Sequence, residues 1–107
     1  MHRGEVYLAD FGMSHGNVQA GIRPVVIIQN DTGNKYSPTV IVSPMTSKNK
    51  KPMPTHCFTW ATGIKSTILT EQIKTIDKGW LGMKLGQLTP RELEYLNKTL
   101  AVSIGLS

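Results

Sequence analysis

Gly21-Ile22-Arg23-Pro24-Val25-Val26-Ile27-Ile28-Gln29-Asn30 is the stretch on which the fold turns. The β-branched run from Val25 to Ile28 is of the kind that fills a strand buried on both faces. Pro24 is admissible at the first position of such a strand, where one N–H donor can be spared. The expected strand is residues 24–29, with Arg23 at its rim on a stiff support. A fixed cation at the edge of a rigid sheet suits the grip of a phosphate or carboxylate. An ordinary surface arginine is the plainer alternative, and this segment alone leaves it open.

Working outward, residues 4–10 alternate, with Val6 and Leu8 on one face and Glu5 and Tyr7 on the other, and read as a first strand. Residues 11–22 have no period. They carry Gly12, Gly16 and Gly21 among Ser14, His15, Asn17 and Gln19, and read as a long loop ending at Arg23. Beyond the buried strand, Asn30-Asp31-Thr32-Gly33-Asn34 is turn chemistry. Residues 39–43 form a third expected strand, ended by Pro44, with Met45, Thr46 and Ser47 just past it. Residues 48–54 are a basic, proline-bounded loop. Residues 55–60, 66–69 and 71–76 read as further short strands, and 78–87 as a glycine-containing stretch with room for one more. Thr89-Pro90-Arg91-Glu92 is a capping box with proline at the first helical position. Leu93, Leu96, Leu100 and Ile104 then recur at helical spacing as a stripe that docks on the sheet, and Gly105 is placed to end the helix. The expected fold is mainly β: a small, curved, barrel-like antiparallel sheet closed by a C-terminal helix, in one domain over residues 1–107.

Composition sets the outer bounds. The chain carries a formal charge of +5 with 39% hydrophobic and 18% charged residues, which is globular and suited to an anionic partner. Cys57 is the one cysteine, so no intrachain disulfide can form and a reducing, cytoplasmic location is expected. No secretory h-region and no apolar run long enough to span a membrane is found.

Several chemistries find no footing. His2, His15, His56 and Cys57 lack metal-ligand spacing, and the adjacent His56 and Cys57 point to opposite faces of an expected strand. Gly12-Met13-Ser14-His15-Gly16 lacks the Gly-Lys-Ser/Thr of a phosphate loop, and no serine or cysteine sits in an elbow. What remains is Arg23, Thr46, Ser47, the lysines of the basic loop, and the polar stretch Glu71-Gln72-Ile73-Lys74. If the strands flanking the 30–34 turn pair antiparallel, the start of one lies beside the end of the other, and Arg23 meets Thr46. A cation and a hydroxyl at one point can hold a phosphate and stabilise charge as it develops. That is what RNA cleavage by its own 2′-OH requires. Arginine holds its proton too tightly to carry it, so it suits charge stabilisation better than proton carriage. Phe58, Trp60 and Trp80 read as core or dimer interface, with base stacking as the alternative for any one of them, His56 as structural, and Cys57 as core.

Arg3-Gly4-Glu5-Val6-Tyr7, residues 21–31, Gly33-Asn34-Lys35-Tyr36-Ser37-Pro38-Thr39, Pro54-Thr55-His56 and residues 66–77 together resemble the MazF/PemK toxin family, in order and over nearly the whole chain. The resemblance implies a type II toxin–antitoxin endoribonuclease that cuts single-stranded messenger RNA sequence-specifically. It implies no metal or cofactor, a 2′,3′-cyclic phosphate and a 5′-hydroxyl as products, and inhibition of translation as the outcome. The implied fold is an SH3-like barrel of the CcdB/PemK type, acting as a homodimer. The family's catalytic arginine and threonine fall on Arg23 and Thr46. Its Glu-Gln-Ile segment, which lines the RNA groove, falls on Glu71, Gln72 and Ile73. Asn17, Gln19, Ser47 and Lys48 are expected to join Glu71 and Gln72 in binding RNA, and a MazE-like antitoxin would bind the same groove through an extended acidic tail. The family loop commonly reads Ser-Glu-Gln-x-Gly-x-Arg-Pro, and Val18 stands here where that pattern has glutamate. Two alternatives share the fold class: a CcdB-like gyrase poison and a non-catalytic SH3-like binding module. The first typically ends Trp-Gly-Ile, whereas this chain ends Ile104-Gly105-Leu106-Ser107.

Overall fold

Antiparallel pairing of the β-branched stretches organises a curled sheet. A computed structural model describes residues 1–12 and 21–107. Their elements run β1 (Glu5–Asp10), β2 (Ile22–Ile27), α1 (Asp31–Tyr36), β3 (Thr39–Thr46), β4 (His56–Thr59), β5 (Ser66–Leu69), β6 (Lys74–Asp77), β7 (Leu81–Gln87) and α2 (Pro90–Ser103). The strand order is β4-β5-β3-β2-β1-β7, and β6 pairs with the first half of β3. The expected mainly-β sheet with a C-terminal helix is what forms.

The sheet buries both faces, which explains a continuous apolar run rather than an alternating one. Val6, Val26, Met45, Cys57 and Ile68 face α2, where Leu96 is fully buried and Leu93 and Leu100 pack beside it. Ala9, Val25, Ile27, Val40, Val42 and Ile76 fill the other face, where the sheet curls over itself. Close approach across the curl fixes Gly86: a Cβ there would come within 2.1 Å of the Ala61 carbonyl oxygen.

α2 starts on the expected capping box. Thr89 Oγ1 accepts the Glu92 N–H and Glu92 accepts the Thr89 N–H. It stops where Gly105, at φ +80°, turns the chain so that the Gly105 and Leu106 N–H groups reach the Val102 and Ala101 carbonyls. Ile104 leaves the docking stripe at this turn and is 59% exposed, a correction to the sequence pattern.

Other boundaries also move. β2 begins at Ile22, so Arg23 lies within the strand rather than before it, and the strand ends at Ile27. Residues 31–36 are a helix, not a turn. Asn30 caps it through the Gly33 N–H, and buried Asn34 donates to the Gln29 carbonyl, so tertiary bonding carries a weak helical sequence. Pro44 does not end β3. It lies between the β6 partners, which stop at Val42, and the β5 partners, which start at Met45, so no ladder on that edge needs its N–H. Ser43 spans the same gap by donating to the Leu69 carbonyl at 3.0 Å. Glu71 and Gln72 sit in a single 3₁₀ turn, Thr70–Gln72, ahead of β6 rather than in a strand. Trp60 and Trp80, read as core or interface, are 59% and 45% exposed.

Candidate nucleic-acid interface

Strand register brings the two expected catalytic residues to the same end of neighbouring strands. β2 and β3 pair antiparallel with Val25 opposite Pro44 and Val26 opposite Ser43. Carrying that register two residues further sets Arg23 opposite Thr46. Directly opposed residues share one face with Cβ atoms about 4.5–5.5 Å apart. The row continues on both sides: Arg23 is paired with Ala9 of β1, which is paired with Leu81 of β7. Thr46 is paired with Thr67 of β5, and Thr67 with Phe58 of β4. Arg23 shares its face with Val25 and Ile27, so an exposed guanidinium is mounted where that buried layer reaches solvent.

Thr46 is held locally as well. Its Oγ1 accepts the Lys48 N–H at 3.2 Å, a turn that occupies one lone pair and leaves the hydroxyl proton to donate. The bend that follows exposes Ser47 and Lys48 next to Thr46. Asn17 and Gln19 lie outside the described residues. The segment that holds them departs from a stapled base, where the Phe11 N–H donates to the Gly21 carbonyl at 2.9 Å and the Gly21 N–H to the Gly12 carbonyl at 2.7 Å.

Glu71 and Gln72 are on the same side of the sheet but not beside Thr46. His56 is paired with Leu69, two residues along β5 from Thr67, or about 7 Å. There a pocket of about 210 Å³ is lined by Lys50, Lys51, Met53, His56, Leu69, Glu71 and Gln72. The basic loop thus joins Thr46 at one end to Glu71 and Gln72 at the other.

Sequence reasoning missed the pair that builds this pocket. The His56 side chain is 5% exposed, and its Nε2 lies 3.1 Å from Glu71 Oε2. Glu71 Oε1 accepts from Thr55 Oγ1 at 3.0 Å. Burial raises the Glu71 pKa, but hydrogen bonds from its own backbone N–H, His56 and Thr55 outweigh that and hold it below the ordinary value. His56 Nδ1 is buried without a partner among the described residues. The signal available in the sequence was the hairpin 56–69, whose register sets His56 two residues from Glu71 across the strands.

At the opposite end of the row, Phe11 and Trp80 stand edge to face with ring centroids 6.2 Å apart, and Lys74 Nζ lies 5.1 Å from the Phe11 centroid. The face as a whole therefore carries a cation and a hydroxyl at its centre, lysines along one loop, and aromatic rings at its ends. Such a surface can hold an extended polyanion with flat apolar groups.

Comparison with known proteins agrees in kind. A sequence model described as PemK-like, MazF-like toxin of type II toxin–antitoxin system matches residues 2–104. The chain is 50% identical over 111 residues to Endoribonuclease MazF of Staphylococcus saprophyticus, covering 99% of this chain and 92% of that protein. Among solved structures it is similar to an endoribonuclease in complex with its cognate antitoxin from mycobacterial species, with TM-score 0.86 and 27% identity over 100% of this chain and 97% of that one. The fold is also that of MazF from Deinococcus radiodurans, with TM-score 0.82 and 20% identity over 98% of this chain and 96% of that one.

Proposed function

The chain belongs to the PemK-like, MazF-like toxin family of type II toxin–antitoxin systems, and we propose that it cuts single-stranded RNA on the face that carries Arg23 and Thr46. It is an endoribonuclease toxin. The single observation that supports the site assignment is the antiparallel β2–β3 register, which, continued two residues beyond Val25 and Pro44, would bring Arg23 opposite Thr46 on one face.

The chemistry follows from those two groups. The RNA's own 2′-oxygen attacks the adjacent phosphorus, a P–O2′ bond forms and the P–O5′ bond breaks. The products are a 2′,3′-cyclic phosphate and a 5′-hydroxyl. One proton leaves O2′ and one reaches O5′, so the step is balanced without water or a metal. Negative charge builds on the non-bridging oxygens, where Arg23 neutralises it and the Thr46 hydroxyl donates a hydrogen bond. Because strands hold both groups, little reorganisation accompanies the reaction. Ser47 and Lys48 extend the grip to the next phosphate. Glu71 and Gln72 meet bases further along the strand, and Asn17 and Gln19 complete the contacts from the segment before Arg23.

Two partners follow from the same reading. An antitoxin with an acidic, extended tail competes for this face, consistent with a charge of +5 and with the antitoxin complex solved for a mycobacterial relative. The active species is a homodimer of one-domain chains, working in the cytoplasm. No helix among the described residues is long and apolar enough to cross a membrane.

The test is cleavage of a long single-stranded RNA in EDTA by the wild type, Arg23→Ala and Thr46→Ala, with the ends mapped by primer extension. Wild-type cleavage that both variants lose supports the site and its independence of metal. Cleavage by Arg23→Ala at the same sites and rate overturns the assignment.

A further inference from the structure

Phe11 and Trp80 form an aromatic platform one diagonal step from Arg23, in a position that RNA chemistry makes useful. Phe11 follows Ala9 by two residues, and its N–H bond to the Gly21 carbonyl continues the β1–β2 ladder. It is therefore the diagonal neighbour of Arg23 on the same face, at about 7–8 Å. Trp80 directly precedes Leu81, the residue that closes the Arg23 row on β7. Its indole packs against Phe11 yet keeps 45% of its surface exposed. Lys74, on β6, covers the Phe11 ring with its ammonium, so the ring surface left for a ligand is that of Trp80. Between them opens a pocket of about 350 Å³ lined by Asp10, Phe11, Gly12, Gly79 and Trp80. The two glycines project no side chain into it. Asp10 Oδ1 accepts the Gly12 N–H at 2.9 Å, leaving its other oxygen to accept from a ligand.

We propose that this pocket is a nucleobase-stacking subsite: Trp80 takes the base of a nucleotide next to the phosphate held by Arg23, and Asp10 favours a base that presents an amino or imino N–H. The inference rests on the ribonuclease reading above and deepens it. An aromatic face accepts any base, and stacking is strong enough to set where the strand lies relative to the cation. A carboxylate would repel a phosphate but accepts readily from a base edge, which separates the two ends of one nucleotide between Asp10 and Arg23. Lys74 supplies a nearby cation for the backbone as it leaves the pocket.

The experiment compares wild type, Trp80→Leu, Trp80→Phe and Arg23→Ala on a long single-stranded RNA, with cleavage sites mapped and kcat and KM measured on an oligonucleotide containing the preferred site. Trp80→Leu should raise KM about tenfold with kcat within about twofold, and Trp80→Phe should recover most of the loss. Asp10→Asn should change the base preferred at one position flanking the cut without moving the others. In a Trp60→Phe background Trp80 is the sole tryptophan, and an uncleavable 2′-O-methyl copy of the site should quench its fluorescence. Arg23→Ala abolishing cleavage while Trp80→Leu leaves KM and site map unaltered, with the Trp80 fluorescence of the Trp60→Phe protein unquenched by the RNA copy, overturns the platform and spares the ribonuclease. Unchanged RNA cleavage by Trp80→Leu with weakened binding of an acidic antitoxin peptide overturns it too, in favour of a protein contact. A wild type that cuts no RNA removes the ribonuclease reading and the platform with it.

Discussion

The row through Arg23 and Thr46 and the pocket around His56 and Glu71 lie on one face of one sheet, yet their polar groups are disposed in opposite ways. In the row, an exposed guanidinium and a half-buried hydroxyl stand on strands whose backbones are already paired. In the pocket, a buried imidazole bonds a carboxylate through Nε2, with Thr55 as a third member. Groups on an exposed rim can exchange the partners they have for those of a substrate. Groups aimed at one another contribute to folding and position whatever else touches them. The two regions should therefore respond to substitution in opposite currencies, the first in rate and the second in stability.

The largest effect belongs to the row. Arg23→Ala should lower the cleavage rate by about 10²–10³, in the range for losing one group that stabilises developing charge. Its stability, measured by urea unfolding, should fall by no more than about 1 kcal/mol, the usual ceiling for what an exposed charge contributes through its partners. A larger loss of stability would mean that Arg23 belongs with the pocket rather than apart from it. Thr46→Val keeps the β-branched shape and removes only the hydroxyl. It should lower the rate on the order of 10-fold to 100-fold, less than Arg23→Ala, because a neutral donor is weaker than a charged one. Thr46→Ser should recover most of the rate, which a purely structural role for the methyl group would prevent.

The same contrast explains what could be read in advance. The row was legible because it depends on neighbours in sequence: a buried strand, a short connection, a second strand, and antiparallel pairing between them. Misreading Pro44 as a terminator did not hide it, since Thr46 was still beside the strand's end. The pocket was illegible because it depends on register in a hairpin whose loop spans residues 60–65, and register there is set by packing under α2. α1 was hidden for a related reason. Asn30, Gly33 and Asn34 favour a turn locally, and only the buried bonds between Asn34 and Gln29 decide for a helix. The pairing of Phe11 with Trp80 gave no signal, because the two are far apart in sequence and the curl of the sheet brings them into contact.

The pocket's own test is Glu71→Ala, which strips His56 of its partner. It should cost about 1–3 kcal/mol by denaturant unfolding near neutrality, the range for leaving a buried polar group unsatisfied. The pH dependence has a definite sign. Hydrogen bonds hold the folded Glu71 pKa below the ordinary value of 4.5, so the carboxylate's contribution is present above that value and is lost as pH falls through the folded pKa. Wild type and Glu71→Ala should therefore differ most near neutrality and converge in stability below pH 4.5. A gap that widens on acidification would mean that the protonated carboxyl, not the ion, supports the pocket.

The smallest effects fall on the loop that connects the two regions, and they decide whether RNA treats them as one surface. Lys48 stands at the row, while Lys50 and Lys51 line the pocket. Each phosphate neutralised on a single strand should contribute about 0.7 to the slope of log affinity against log salt. The measurement is binding of an uncleavable 2′-O-methyl RNA across a salt series. If the strand runs from the row into the pocket, Lys48→Ala and Lys50→Ala should each reduce that slope by about 0.7, and the double variant by about twice as much. If the strand leaves the face at Thr46, only Lys48→Ala should change the slope, and the pocket is a structural support that the substrate does not reach. Because both lysines are exposed on one loop, folding changes cannot mimic the distinction. The slope counts phosphates, so it reports how far along the face the RNA travels even where the loss in affinity is only a few-fold.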